Sequence, residues 1–259
     1  MATRSPRPAG PLAAYVLHRY DWSESSLILD LFTREQGRCA VVAKGAKRPY
    51  SQLRGVLLPF QRLQVSLGKP PSHDEGASEV QTLRAAEWAG SAAMLTGAAL
   101  FSGFYLNELL MKLLARHDPH AALFDAYAAT LPALAQVNEV GDDGRVEAAL
   151  RAFELTLLSQ IGLLPDLSVA TQTQQPLARA ARYDLVPENG VVPAPAGELD
   201  GAALVALQAA LEHGSLAALQ QACAPCVGAL KRPLRALIQQ QLGSAPLRTR
   251  QALLELQRL

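Results

Sequence analysis

Hydrophobic residues in the first third of the chain follow the short period of β-strands. Between residues 13 and 88, five apolar runs of strand length are separated by polar turn sequences. In one of them, SLILDLFT, three leucines alternate with isoleucine, aspartate and phenylalanine, as expected when one face of a strand enters a core. Five short strands in so short a region predict a small closed barrel, because closure leaves no exposed edge strand.

After Trp88 the hydrophobic period changes to the three- and four-residue spacing of amphipathic helices. The predicted helices include LNELLMKLL, VEAALRAFELTLLSQ and ALVALQAALEH, and either Asp142 or Asp143 is expected to cap the second. A further helical segment, SLAALQQACAPCVGALKRPLRALIQQQLG, contains Pro225 and Pro233, which are expected to break it. The sequence RYDLVPENGVV suggests a short hairpin.

These patterns divide the chain into three parts. Residues 1–12 are predicted to be a disordered arm and residues 13–88 the five-stranded barrel, which is an OB-fold if it binds oligonucleotides. Residues 89–259 are predicted to form an all-α domain, interrupted by a loop with a short hairpin at about 166–198. Since no signal peptide or long apolar run is evident, we expect a soluble cytoplasmic protein without a membrane association.

The formal net charge of +1 conceals an uneven distribution. Residues 1–84 contain 12 Lys and Arg against 7 Asp and Glu, whereas residues 85–259 contain 12 against 16. The barrel is therefore basic and the helical region acidic, which predicts different binding partners for their surfaces.

The sequence contains no pattern typical of an enzyme. It lacks the glycine-rich phosphate-binding motifs, HExxH and GxSxG, and its five histidines are scattered. The pair Cys223 and Cys226 forms a lone CxxC, and four ligands are needed for structural zinc. We interpret these cysteines as core residues beside a proline kink, and we predict a binding protein with no catalytic residue, metal or cofactor.

One segment of the barrel region is strongly basic. Between Arg34 and Arg62 there are seven basic residues and a single acid, Glu35. Such a field attracts polyanions, and an aromatic residue among the charges can stack on bases. The candidate DNA-binding residues are Arg34, Arg38, Lys44, Lys47, Arg48, Tyr50 and Arg54. The alternative, a solvated loop that only keeps the barrel soluble, remains open. The basic residues Arg179, Arg182, Lys231, Arg232 and Arg235 could extend a track over the helical region, or could be scattered surface charges.

Several segments together resemble the RecO family of bacterial recombination mediators. They are AYVLHRYDWSESSLILDLFTREQGR, VAKGAKRP, LRGVLLPF, LFSGFYLNELL, LRAFELTLLSQIGLLPDL, RYDLVPENG and LKRPLRALIQQQLGSAPLRTR, which span nearly the whole chain in the family's order. The resemblance implies an N-terminal OB-fold barrel followed by a helical domain. Some family members carry a four-cysteine zinc module, but SVATQTQQP stands here where its first cysteines would be.

The resemblance also implies partners. They are single- and double-stranded DNA, the protein RecR, and the acidic, Phe-ended C-terminal tail of single-stranded DNA-binding protein. A member of this family would anneal strands, help to load recombinase onto coated DNA, and act in the cytoplasm at the nucleoid, and we expect it to be monomeric alone. The main alternative is a protein-interaction adaptor, recruited by that tail, whose contact with DNA is secondary.

The tail site would need an apolar groove and a cation for the terminal carboxylate. Arg151 in LRAFEL matches a basic position of the family, and Phe104, Leu106 and Phe153 are the candidates for the groove. The alternative is that these three apolar residues belong to the core and that Arg151 is a solvated surface charge.

Overall fold

The structure is a computed structural model, which describes residues 10–68, 80–90, 94–136, 144–244 and 246–256. The chain divides into two compact units. The first combines Met1–Met94 with Leu114–Ala121, and the second combines Leu95–Leu113 with Ala122–Leu259.

The first unit is a closed five-stranded barrel with the strand order β1-β2-β3-β5-β4, so the predicted OB-like barrel is confirmed. Neighbouring strands are antiparallel, except that β3 and β5 run parallel. Its elements are β1 (Leu12–Asp21), β2 (Leu27–Thr33), β3 (Gly37–Ala43), the short helix α1 (Leu53–Val56), β4 (Leu63–Leu67) and β5 (Gln81–Trp88).

The alternation within the strands explains the core of the barrel. Leu29 and Leu31 of β2 face the interior, where they pack with apolar residues of every other strand. The opposite face of β2 is also buried: Phe32 is fully buried, and Asp30 is nearly so. A DNA strand therefore has no access to these positions of β2.

The turn between β2 and β3 is fixed by local hydrogen bonds and by a returning segment of the same unit. The Thr33 hydroxyl donates to the carbonyl of Gly37 at 2.9 Å and accepts from the amide of Gln36 at 3.1 Å. Gly37 has a positive φ of 68°, and a Cβ there would collide with the backbone of Asp118. The Leu114–Ala121 segment is held against β3 by a hydrogen bond from the His117 amide to the Arg38 carbonyl, at 2.8 Å.

The second unit consists of helices and a small three-stranded sheet of order β7-β6-β8. The elements are α2 (Gly97–Leu113), α3 (Ala121–Ala135, whose first residue belongs to the first unit), α4 (Arg145–Gln160), β6 (Arg182–Val186), β7 (Gly190–Pro193), β8 (Leu199–Asp200), α5 (Gly201–His213), α6 (Leu216–Cys223), α7 (Val227–Leu242) and α8 (Arg248–Leu256). The helix α4 is central, because it packs against both α6 and α7 and eight of its residues are buried.

The hairpin suggested by RYDLVPENGVV is present as β6 and β7, which pair from Tyr183–Pro193 to Val186–Gly190. Hydrogen bonds tie it to the preceding loop. The Thr171 hydroxyl accepts from the amide of Val191 at 2.8 Å, and the Tyr183 hydroxyl accepts from the amide of Ala178 at 2.9 Å. Buried apolar residues and these bonds therefore hold the hairpin.

The two proline predictions have different outcomes. Pro225 does break the helix, since a 3-10 turn at Ala224–Cys226 separates α6 from α7. The prediction for Pro233 is wrong, because α7 continues through it. Leu230 and Leu234 on either side are fully buried, and their packing outweighs the missing backbone hydrogen bond.

Two other expectations fall partly or wholly outside the described residues. They concern Asp142 or Asp143 as the cap of α4, and residues 1–9 of the predicted arm. Leu12, assigned to that arm, is the first residue of β1. Across the described ranges, the helices lack the combined length and hydrophobicity that crossing a bilayer would require.

Candidate functional sites

The first candidate site is at the end of the barrel where β1 and β3 finish. Two connections meet there: the β1–β2 loop at residues 22–26 and the first part, residues 44–56, of the β3–β4 connection at residues 44–62. Lys47 joins them, since its ammonium group lies 3.0 Å from the Asp21 carboxylate and donates to the Ser23 carbonyl at 3.1 Å. Its backbone amide also donates to the Ser25 carbonyl at 3.0 Å. The basic connection is therefore folded against the neighbouring loop.

Lys44, Arg48, Tyr50 and Arg54, four of the predicted DNA-binding residues, are exposed on this connection, and the Tyr50 side chain is 100% accessible. Backbone hydrogen bonds from Arg48 to Gly45, from Ser51 to Arg48 and from Arg54 to Ser51 shape it as successive turns. Lys47 is half-buried, and its charge is shared with Asp21. The exposed cations of this segment thus face solvent from an ordered backbone.

Arg34 and Arg38 lie elsewhere. Both are at the opposite end of the β2–β3 hairpin, because Arg34 follows β2 and Arg38 is the second residue of β3. Arg34 is exposed there, but the Arg38 side chain is only 14% accessible, and its guanidinium lies 3.7 Å from the Asp30 carboxylate. The charge of Arg38 is partly balanced inside the protein, so it offers a phosphate less than the exposed cations do, and its contact with DNA stays a prediction.

The mouth of the barrel at the first site contains a cavity of about 380 Å³. Arg19 and Asp21 reach it because they pair with Leu29 and Leu27, whose positions face the interior. Its lining combines three cations, Arg19, Lys47 and Arg54, and one acid, Asp21, with the apolar side chains of Leu27, Ala46, Leu53 and Leu57. Arg19 also donates to the Leu57 carbonyl at 3.3 Å. Arg19 was not predicted, because simple alternation from the core residues Ala14 and Val16 would place it on the outer face of β1. A register shift between Val16 and His18 turns it inward, and no local sequence signal marks that shift.

The second candidate site is a cavity of about 480 Å³ within the helical unit, formed by residues of α2, α4, α7 and the start of α8. Its walls are mainly apolar, with Phe101, Leu150 and Ile238 on three different helices. Three cations line it: Arg151 of α4, and Lys231 and Arg235 of α7. Lys231 and Arg235 are exposed and one helical turn apart, so they can act together on an anionic ligand.

A buried carboxylate lies at the base of this cavity. Glu154 accepts a hydrogen bond from the Tyr105 hydroxyl at 2.6 Å and forms an ion pair with Arg151 at 2.7 Å. Burial raises the pKa of Glu154, although Arg151 and Tyr105 act in the opposite direction. Burial and the charge of Glu154 together raise the pKa of Tyr105 well above its usual range, so its hydroxyl remains a donor.

The predicted tail residues are only partly placed at this cavity. Arg151 lines it, and the expectation of a merely solvated charge is not met, because Arg151 pairs with Glu154. Leu106 and Phe153 have no accessible surface, so the prediction that they form a ligand groove is wrong. Phe104 is partly exposed on α2, whereas the residues of α2 that line the cavity are its neighbours Phe101, Ser102 and Tyr105.

One wall of the cavity depends on a carboxylate from α2. Glu108 accepts hydrogen bonds from the amides of Arg248 and Thr249, at 2.8 and 2.9 Å, and from the Thr249 hydroxyl at 2.7 Å. Burial opposes the charge of Glu108, but these bonds and Lys112 outweigh it and lower its pKa. Glu108 therefore satisfies the first amides of α8 and fixes that helix beside the cavity.

The cysteines have no features of a reactive site. Burial raises the pKa of Cys223 to about 12 and that of Cys226 to about 11, so both remain thiols at neutral pH. The interpretation of Cys223 as a core residue agrees with its complete burial. In the part of the chain that the structure describes, no three His, Cys, Asp or Glu side chains come together as a metal-binding group.

Comparison with known proteins identifies the family. A family model described as "Recombination protein O N terminal" matches residues 12–91, and one described as "Recombination protein O C terminal" matches residues 94–251. The chain is similar to "DNA repair protein RecO" of Acidovorax ebreus, with 52% identity over 95% of this chain and 96% of the relative. It is 51% identical to the protein of that name from Variovorax paradoxus and 52% identical to that from Polaromonas naphthalenivorans, with the same coverage of both chains. The chain therefore belongs to the RecO family of DNA repair proteins.

Proposed function

We propose that this protein is a non-catalytic recombination mediator that binds and anneals DNA strands and helps to load recombinase onto coated single-stranded DNA. The observation that carries the proposal is the group of exposed cations on the ordered β3–β4 connection, beside the mouth of an OB-like barrel. Membership of the RecO family supports it. Single- and double-stranded DNA and RecR are the partners proposed on this basis.

Binding at this surface would be governed by phosphates. Lys44, Arg48 and Arg54 are exposed, and each phosphate that they neutralise releases counterions. Such binding does not depend on base sequence, which suits a protein that must act on any broken or gapped strand. It also weakens steeply as salt is added.

The triple variant Lys44→Ala/Arg48→Ala/Arg54→Ala tests this surface. The plot of log affinity against log salt has a negative slope. Three lost phosphate contacts should make it shallower by about 2 for single strands. Fluorescence anisotropy with a labelled oligomer across a salt series measures the slope, and a complementary-strand assay measures annealing. Lys47 is left intact because it joins the two loops.

The matched control is Arg179→Ala/Arg182→Ala/Arg232→Ala, which removes three exposed charges from the helical unit. It should leave the slope unchanged. If the control makes the slope shallower and the barrel variant does not, the strand lies on the helical unit and the barrel assignment is wrong.

We further propose that the helical cavity binds the acidic, Phe-ended tail of single-stranded DNA-binding protein, which would make the protein an adaptor as well. The cavity offers an apolar interior for a phenyl ring and exposed Lys231 and Arg235 for carboxylates. Arg151 is a weaker choice as the anchoring cation, because its charge already balances Glu154.

Lys231→Ala/Arg235→Ala should weaken binding of a synthetic acidic peptide ending in Phe by roughly 10-fold or more, the effect of losing charged hydrogen bonds. Isothermal titration calorimetry of the full chain measures the affinity. Arg232→Ala is the control, since Arg232 neighbours Lys231 but lies near Glu198. Equal losses in both variants would show only general charge attraction, and would refute this cavity as the tail site.

A further inference from the structure

An exposed tryptophan lies at the mouth of the barrel. Trp22 follows β1 directly and is 67% accessible. Its two neighbours in sequence, Asp21 and Ser23, are the residues that bind the Lys47 ammonium group. The loop that carries Trp22 is therefore attached to the rim of the 380 Å³ cavity.

An indole ring exposed to solvent does not gain the free energy that burial normally gives a large aromatic side chain. Two other exposed aromatic residues belong to the same segments. Tyr20 lies two residues before Trp22, and Tyr50 lies three residues after Lys47. Aromatic side chains beside cations are the means by which proteins hold unpaired bases, since every base offers a π-face.

The cavity itself has two chemical zones. Leu27, Ala46, Leu53 and Leu57 are the apolar residues of its lining. Arg19, Lys47 and Arg54 lie at the rim, where Asp21 balances the charge of Lys47. The apolar side chains suit the face of a planar base, and the arginines suit the phosphates on either side of it. A base within a duplex cannot enter, because it is paired and stacked.

We propose that the barrel mouth is a subsite for one unpaired nucleobase of a DNA strand, and that Trp22 is the platform on which the adjacent base stacks. This inference rests on the proposed DNA binding and specifies how that site distinguishes single strands from duplexes. The phosphate contacts supply affinity for both forms, whereas the cavity and Trp22 act on unpaired bases alone.

The sequence allows a direct spectroscopic test, because it contains only two tryptophans. Trp88 is 61% accessible at the end of β5, and its partner Leu63 begins β4, which places Trp88 at the opposite end of the barrel from Trp22. The variant Trp88→Phe leaves Trp22 as the sole reporter. Three probes are titrated: a single-stranded thymidine oligomer, an abasic oligomer of the same length, and a duplex.

The thymidine oligomer should quench the emission of Trp22, and the abasic oligomer should not. The abasic oligomer should also bind roughly 5-fold or more weakly at the same salt, the loss that missing base stacking gives. In the otherwise wild-type chain, Trp22→Ala should weaken binding of the thymidine oligomer by a similar factor and leave the abasic oligomer and duplex unaffected. Trp22→Phe should restore most of the affinity, and Trp88→Ala should have no effect.

A second variant tests the cavity. Leu53→Phe reduces its volume without changing a charge, so it should weaken binding of the thymidine oligomer but not of the abasic one, with thermal unfolding as the check on folding.

Equal binding and equal quenching by the thymidine and abasic oligomers would overturn the inference while leaving phosphate binding intact. Equal losses for both oligomers in Trp22→Ala would also overturn it, and an unchanged affinity in a folded Leu53→Phe would remove the cavity from it. If no oligomer binds at low salt, the proposed DNA binding itself fails.

Discussion

A buried carboxylate determines which residues of the helical cavity can be changed without damaging the fold. The Glu154 side chain is 1% accessible, and its two polar contacts come from Tyr105 on α2 and Arg151 on α4. Removing one member of such a pair leaves an uncompensated charge in a medium of low polarity, which costs more than the pair itself contributes. Arg151 is therefore primarily a partner of Glu154.

Arg151→Met should lower the free energy of unfolding by about 3–5 kcal/mol near pH 8. The pKa of Glu154 is already raised in the folded protein, so the folded state holds its proton to higher pH than the unfolded chain does. Loss of Arg151 raises this pKa further. Stability is then lost as pH rises from the pKa of the unfolded chain to this higher folded-state pKa. The deficit should shrink near pH 5, and chemical denaturation followed by circular dichroism at both pH values measures it.

The double variant Arg151→Met/Glu154→Gln is the control, because the amide oxygen can still accept from Tyr105 without carrying a charge. It should regain most of the lost stability and show little dependence on pH. A deficit that persists in the double variant would mean that Arg151 acts through packing rather than through its charge.

At the scale of elements, the position of α8 depends on a residue far away in the sequence. Glu108 of α2 accepts two backbone hydrogen bonds and one hydroxyl hydrogen bond from Arg248 and Thr249. Lys112, one turn later on α2, lies 3.4 Å from Glu108 and donates to the Pro246 carbonyl at 2.9 Å. One turn of α2 thus holds the segment that completes the cavity.

Glu108→Gln should destabilise the helical unit by about 1.5–3 kcal/mol at pH 7, the range for hydrogen bonds to a charged group. Because the pKa of Glu108 is lowered in the folded protein, the stability it contributes is present above its usual value of 4.5 and is lost as pH falls below it. The difference between variant and parent should therefore disappear in acid. Denaturation at pH 7 and in acid tests this.

Hydrogen exchange provides the local readout: amides of Arg248 and Thr249 should exchange faster in Glu108→Gln. Glu212→Gln, on the exposed last turn of α5, is the matched control and should change neither quantity. Unchanged exchange at α8 in the Glu108 variant would show that packing alone holds the helix.

The elements themselves were largely predictable from the sequence. The alternation in SLILDLFT identifies the inward face of β2, and the leucines of that face are in the barrel core. Pro233 was not predictable, because the burial of Leu230 and Leu234 that keeps α7 intact is a tertiary property. Local sequence signals thus identified strands and helices. They could not show whether tertiary packing would compensate for the backbone hydrogen bond that a proline removes.

The sites were less predictable than the elements, since a charge run does not reveal which charges are already paired. Arg38 and Lys44 look alike in the sequence, yet Arg38 lies against Asp30 and Lys44 is exposed. Arg19 reaches the barrel mouth only through its pairing with Leu29. Lys231 and Arg235 join Arg151 at one cavity although α4 and α7 are far apart in the chain.

At the scale of the whole molecule, the two candidate sites belong to different compact units with different charge. The barrel region is basic and the helical region acidic, as the distribution of charged residues along the sequence indicates. A polyanion would be attracted to the barrel and weakly repelled by the acidic surface. An anionic peptide would bind this acidic unit only where positive charge is concentrated. Lys231 and Arg235 provide such positive charge at the cavity.

The hydrogen bonds between Glu108 and α8 also set an order of events during synthesis. Arg248 is made 140 residues after Glu108. At about 5–20 residues per second, a ribosome needs roughly 7–28 s to cover that distance. Throughout this interval a nascent chain carries α2 without the segment that closes the cavity. A ligand of the proposed tail site would therefore bind only after translation has passed α8, by which time the barrel has had time to fold.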